Sequence, residues 1–451
     1  MARKARIVVG AAVLAALTIV GLAILPLGSR AAAYTPMTAP VLSTRALTQP
    51  ISDGTPDAQQ IRLGQYLVRV GDCASCHTRE GGSFLAGGRA LNTPFGSIYS
   101  TNLTSDRATG VGDWTSDEFY AALHDGTRPL GGPLYPAMPY PYTTRATRAD
   151  SDAILAFLKT VAPVNEKRPP NVLPFPFNIR SLVHGWNLLF FHPGEFKADP
   201  GRTADWNRGA YLVTGLGHCG ACHTPKNALG ADRTSRPLQG GTLDNWVAPD
   251  LSANTRTGLG SWSVDEIVEY LRTGRNARGN AGGAMAAVVS YSTSFLTDAD
   301  LHAMAIYLKE QSAGPDAMPD SPDAGDMQRG GAVFSDACTA CHMEEGLGQA
   351  RLFPPLRGNA VSQQADPTGV LHIILAGDRT AVTSSRPTPL SMPSFAWKLT
   401  DQEIADVATY VRNSWGNRAQ PISAKSVGDM RRNLGLQSEY HVAGTTGAAR
   451  K

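Results

Sequence analysis

The sequence predicts an all-α protein of three tandem, loop-rich helical units behind an N-terminal hydrophobic segment. Three observations carry this. A short helix leading to a cysteine pair recurs three times, each recurrence closes with an apolar-periodic helix, and few stretches alternate convincingly enough to be strands. The length of 451 residues is about three domains' worth. Charged residues are 18% of the chain, below the roughly 25% usual for soluble domains, while 46 Gly and 31 Pro mark long connections. A hydrophobic fraction of 42% argues against disorder, and a net charge of +3 excludes the strong basic excess of a nucleic-acid-binding protein.

Arg3, Lys4 and Arg6 precede an apolar run from Ile7 to Leu27, with Ala31-Ala32-Ala33 just beyond. Residues 1–33 therefore read as a signal peptide or a membrane anchor, and either one exports the rest of the chain.

The repeats follow. Gly64 and Tyr66 lead to Cys73, Gly209 and Tyr211 to Cys219, Gly330 and Phe334 to Cys338. The block Asn102-Leu-Thr104 … Trp114-Thr-Ser-Asp-Glu118 is matched by Asp250-Leu-Ser252 … Trp262-Ser-Val-Asp-Glu266. Each block then enters an amphipathic helix with Ser116 or Ser263 as the expected N-cap. Closing helices are expected at 151–161, 298–310 and 401–415. There Phe157, Tyr307 and Tyr410 should pack against Gly64, Gly209 and Gly330, where the backbones can approach closely. The predicted segments are 54–165, 201–312 and 326–418, joined by linkers 166–200 and 313–325 and followed by a polar tail, 419–451. The second linker is ordinary. The first concentrates aromatics (Pro174-Phe-Pro-Phe177, Trp186-Asn-Leu-Leu-Phe-Phe191), either packing on its own domains or facing a partner subunit or a membrane interface.

All six cysteines fall into one pattern: Cys73-Ala-Ser-Cys76-His77, Cys219-Gly-Ala-Cys222-His223 and Cys338-Thr-Ala-Cys341-His342. C-x-x-C-H reads as covalent haem c attachment: two thiols a helical turn apart can add to the porphyrin vinyl groups, and the following His lies under the iron. A redox dithiol or half a zinc site would need neither the histidine nor three copies that use every cysteine. Three covalently bound haem c groups follow, with His77, His223 and His342 as proximal ligands. The soft sixth ligand is expected from Met138, Met285 and Met392, each in a loop ahead of its closing helix. Met304 has core spacing, Met343 is too close to its own motif, and His124, His218, His302 and His372 recur at no equivalent place. The sequence contains no G-x-G-x-x-G opening a βα unit, Walker loop, HExxH or G-x-S-x-G elbow, so no catalytic residue is expected.

These motifs, the Trp186–Phe191 stretch and the block Trp206-Asn-Arg-Gly-Ala-Tyr-Leu-Val … Gly217-His-Cys-Gly-Ala-Cys-His-Thr-Pro225 resemble the triple-haem cytochrome c subunit of bacterial membrane-bound dehydrogenases, such as alcohol dehydrogenase and gluconate 2-dehydrogenase. The resemblance implies three tandem class I-like cytochrome c domains on the periplasmic side of the inner membrane. It also implies a membrane-associated electron-transfer role between a catalytic dehydrogenase subunit (a quinoprotein or flavoprotein) and ubiquinone or a terminal oxidase. Similar subunits serve molybdoprotein aldehyde or N-heterocycle dehydrogenases, so the partner is open. A stand-alone haem enzyme with one open iron site is the competing class.

Overall fold

The computed structural model describes residues 45–129, 131–314 and 319–436. The N-terminal segment 1–33 lies outside the described residues. In the first segment the principal elements are α1 (Ala58–Val70), strands β1 (Ala90–Thr93) and β2 (Gly96–Tyr99), α2 (Ser116–His124) and α3 (Arg148–Leu158). The linker carries α4 (Leu182–Phe190). The second segment holds α5 (Ala204–Thr214), β3 (Gln239–Leu243), β4 (Trp246–Asp250), α6 (Val264–Thr273), α7 (Gly283–Tyr291) and α8 (Asp298–Lys309). Last come α9 (Ala324–Ala337), α10 (Thr368–Ala376), β5 (Asp378–Arg379), β6 (Ser391–Met392), α11 (Asp401–Asn413) and α12 (Ala424–Asn433).

Helices α1 and α3, α5 and α8, and α9 and α11 pack as pairs. Each pair is held close by one glycine. A Cβ on Gly64 would lie 1.8 Å from the Ala153 carbonyl oxygen, one on Gly209 2.0 Å from that of Ala303, and one on Gly330 2.2 Å from that of Asp406. The next neighbours are the Cβ atoms of Phe157, Tyr307 and Tyr410, the aromatics expected there. Around these crossings Leu67, Val68, Leu155, Leu158, Leu212, Leu301, Met304 and Leu308 are buried in one apolar cluster spanning the first two segments.

The helix starts follow local chemistry. Ser263 caps α6 with a full capping box, its hydroxyl accepting from the Glu266 N–H. In α2 the cap is Thr115 rather than the expected Ser116; Thr115 Oγ1 accepts from the Glu118 N–H and the Glu118 carboxylate accepts from the Thr115 N–H. The cap is thus the residue one step earlier, the one that sits three before Glu118.

Two further expectations change. The fold is not purely helical: three antiparallel hairpins, β1–β2, β3–β4 and β5–β6, follow the three cysteine motifs. Their strands are only two to five residues long, which hides them from an alternation test. The polar tail is also shorter than expected. Residues 419–434 turn back onto α11 and bury Ala419, Ile422, Val427, Met430 and Leu434. Arg431 fixes this return, its Nε donating to Asp401 and its Nη atoms to the Ala396 and Leu399 carbonyls.

The first two segments meet reciprocally. Tyr66 Oη donates to Asp300 Oδ2 at 2.5 Å, and Tyr211 Oη donates to Asp150. Asp150 and Asp300 occupy the same turn of α3 and α8, and the Thr147 and Thr297 N–H groups reach the Tyr211 and Tyr66 hydroxyls respectively. The second and third segments meet through the stacked Trp246 and His372 rings (centroids 3.9 Å apart) and the Arg351–Glu269 ion pair.

Candidate functional site

Each motif forms a short helix ending on its histidine (Cys73–His77, Gly220–His223, Thr339–His342), with Cys219 and Cys338 as N-caps of the last two, just after the leading helix of a crossing pair, and all six thiols are free. Burial pushes the Cys73, Cys76 and Cys219 thiols up to about 12 and Cys338 up to about 11, so they stay protonated. Among the described residues no group of three or more His, Cys, Asp or Glu could hold a metal, so no cysteine pair is completed into a zinc-type site.

The three imidazoles share one geometry. His77 Nδ1 lies 2.7 Å from the Thr101 carbonyl oxygen, His223 Nδ1 2.7 Å from that of Pro249, and His342 Nδ1 3.1 Å from that of Pro354. A carbonyl accepts only, so each Nδ1 carries the proton and each Nε2 is left as a lone-pair donor with no hydrogen bond among the described residues. Burial lowers the pKa of all three rings, against the opposing pull of the carbonyls, and keeps them neutral as metal ligands must be. Thiol pair, neutral imidazole and fixed tautomer fit a covalently attached haem with axial histidine. The carbonyls are what sequence reasoning missed. Thr101 and Pro249 stand immediately before the repeated Asn102-Leu-Thr104 and Asp250-Leu-Ser252 blocks, so the repeat was the signal. In both blocks the Asx side chain accepts from the N–H two residues on, at 2.8 and 2.7 Å, holding the preceding carbonyl in place.

Of the three methionines expected in loops, Met138 alone lies in one; Met392 ends the two-residue strand β6. Met285 does not lie in a loop: it sits in the first turn of α7, among the strong helix formers Ala284, Ala286 and Ala287 but behind two glycines that give no sign of a helix start. All three are half-buried, and Met138 with Cys73, and Met285 with Cys219, pack against the same apolar cluster. Met304 is core, 3% exposed. The competing histidines are engaged elsewhere: His218 Nε2 is 3.3 Å from the Gly71 carbonyl, His372 Nδ1 is 2.8 Å from that of Asn245, and His124 pairs with Asp125. His302 is exposed on α8.

Asp72, at the start of the first motif, is 8% exposed and accepts from Ser75 Oγ. Burial raises its carboxyl to about 7, with the Ser75 hydroxyl and Arg89 opposing. The folded state therefore holds the proton more tightly than the unfolded chain, where such a group titrates near 3.9. Stability is full at acid pH and falls as pH rises through that window toward about 7. Asp72→Asn should match wild type near pH 4 and exceed it by up to about 4 kcal/mol near pH 8, measured by thermal unfolding at both.

Comparison with known proteins follows the same lines. The cytochrome c family model matches residues 327–415. The gluconate 2-dehydrogenase cytochrome c subunit of Pantoea cypripedii is 38% identical over 421 residues, 88% of this chain and 95% of the relative. The cytochrome c subunit of the quinone alcohol dehydrogenase of Gluconacetobacter polyoxogenes is 40% identical over 387 residues, 81% of this chain and 83% of the relative. A nicotinate dehydrogenase subunit of Pseudomonas putida is 40% identical over 390 residues, covering 84% of this chain but 32% of that longer protein. With free thiol pairs, neutral imidazoles and relatives of this extent, the chain belongs to the family of dehydrogenase cytochrome c subunits that includes those of the alcohol and gluconate enzymes.

Proposed function

We propose that this chain is a triple-haem c electron-transfer subunit that accepts electrons from a catalytic dehydrogenase subunit and passes them to ubiquinone or the respiratory chain on the periplasmic side of the inner membrane. Haem c, when attached, supplies a one-electron iron couple. The chain's own part would be to hold three of them: Cys73/Cys76, Cys219/Cys222 and Cys338/Cys341 would form the thioethers, His77, His223 and His342 would supply nitrogen ligands, and Met138, Met285 and Met392 sulfur ligands. The observation that carries the reading is the threefold Nδ1–carbonyl geometry, which leaves one nitrogen donor beside each thiol pair. The test is a haem count by pyridine haemochrome on purified protein. Three per chain is expected; one or two would refute the full assignment.

The partner is an alcohol-, sugar- or sugar-acid-oxidising subunit, and co-purification with it is expected. The likeness to the nicotinate dehydrogenase protein favours a second reading, a molybdoprotein partner acting on an N-heterocycle or aldehyde.

The linker supports a docking or membrane-facing role. Its inner side is tied down: Arg180 Nη1 donates to the Pro133 carbonyl, Tyr140 Oη to Asn187 Oδ1, and Trp186 Nε1 to the Leu229 carbonyl. Its outer side leaves Phe175 72%, Leu188 84% and Leu189 64% exposed, the kind of apolar patch that marks a contact surface. No helix among the described residues is long and apolar enough to cross a membrane. The double substitution Leu188→Asp/Leu189→Asp should release the protein from the membrane fraction or its partner while changing stability by no more than about 0.5 kcal/mol, as for other exposed sites. Fractionation and thermal unfolding check it together.

A further inference from the structure

Residues 377–382 come from the third cysteine-motif segment, yet they lie along α7 of the second. Helix α7 begins at Gly282 and Gly283, which offer no capping side chain of their own. The cap arrives from elsewhere: the Gly283 N–H donates to Asp378 Oδ1 at 3.0 Å. A carboxylate there satisfies an otherwise orphaned donor and complements the positive end of the helix dipole. The fit is tight enough that a Cβ on Gly282 would lie 1.6 Å from Asp378 Oδ2. Four residues on, the Val382 N–H donates to Ser290 Oγ at 3.0 Å near the other end of α7. Between these contacts Ala381 joins Ala281, Ala286 and Val289 in a buried cluster against which Met285 packs.

The same strap reaches the other way. In the β5–β6 ladder residue 378 is the register partner of Met392. Gly377, at φ +77°, lies so close beneath that strand that a Cβ would sit 2.6 Å from the Met392 carbonyl oxygen. One residue therefore touches the element presenting Met285 with its side chain and the element presenting Met392 with its backbone.

We propose that Asp378 is a positioning residue shared by two metal centres, seating Met285 over the second iron and Met392 over the third so that the two potentials are set together. This rests on the assignment of those methionines as axial ligands. Methionine ligation raises a haem potential, so a helix that slips away from its iron lowers it.

The readouts are the far-red methionine–iron absorption of the oxidised holoprotein and the midpoint potentials resolved by spectroelectrochemical titration. Asp378→Ala keeps the backbone pairing with Met392 but unties the strap from α7, so β5 should loosen against β6 as well; two of three such bands should weaken and two potentials fall, leaving the Met138 centre unchanged. Gly282→Ala, which evicts the carboxylate from the other side, should do the same. Asp378→Asn keeps an acceptor for the Gly283 N–H and should retain both bands. An effect confined to one centre, spread over all three, or missing from both variants overturns the proposal. Loss of folded holoprotein in both would make Asp378 a stability element and overturn it equally. Met285→Ala and Met392→Ala separate the premises, since each must remove one band. If either removes none, the ligand assignment has failed; if both do while Asp378→Ala is silent, only the shared role has.

Discussion

Replacing Gly209 by valine should collapse the second segment. The new Cβ would sit 2.0 Å from the Ala303 carbonyl oxygen and 2.9 Å from Tyr307 Cβ, both on α8. Neither neighbour is the end of a flexible chain that could swing aside. Helices α5 and α8 would have to separate by more than an ångström, and Leu212, Leu301, Ala305 and Leu308, all at most 3% exposed, would lose their contacts. Overpacking of this kind costs about 3 kcal/mol or more. The expected result is a large drop in melting temperature and little soluble holoprotein. Gly185→Ala on α4 is the control, because a Cβ there meets nothing within 4 Å. It should gain about 0.5–1 kcal/mol, the usual difference between glycine and alanine inside a helix.

The second large effect is on composition. Cys219→Ser/Cys222→Ser removes both thiols of one motif and leaves the other two motifs untouched, so under the proposed assignment the covalent haem count should fall by one, from three to two. His223 keeps its carbonyl partner, but a ring nitrogen alone does not retain a cofactor through denaturation. Haem-stained denaturing gels and intact mass should both read the loss. An unchanged count would mean that this pair does not attach haem. The converse substitution, Cys76→Ser, leaves one thiol at the first motif and should weaken attachment there without reaching zero.

What the chain displays openly are the features whose cause is local. Cysteine motifs, Ser263 with Glu266 three residues on, and a glycine eight to ten residues before each motif lie within a few turns of one another. What it conceals depends on partners far along the chain. The carbonyls that fix His77 and His223 lie some two dozen residues on, and only the repeat hints at them. Met285 looks like a loop residue because its helix is capped by residue 378. Residues 419–434 look like a polar tail because the partners that bury Arg431, at 396, 399 and 401, belong to the preceding helix and its approach. The strands of the hairpins are two to five residues long with mixed burial, too short for alternation to register.

The crossed tyrosines give the first two segments the signature of an isologous dimer, in which residue i of one copy meets j of the other and j meets i. Here the two copies are one polypeptide, so the interface is held at a fixed effective concentration and cannot dissociate on dilution. Covalent union also frees the halves to diverge. At one end Arg208 grips Asp300 through two hydrogen bonds of 2.7 and 2.8 Å; burial opposes ionisation of that carboxylate, but Arg208 and Tyr66 outweigh it and hold its pKa down. The position matching Arg208 in the first helix is Leu63, exposed and uncharged, so Asp150 lacks the matching grip from its own half. A symmetric homodimer would have to present the same field to both of its copies of a site. This tandem pair keeps the contact and breaks the charge symmetry, so the first two cysteine motifs sit in different electrostatic surroundings.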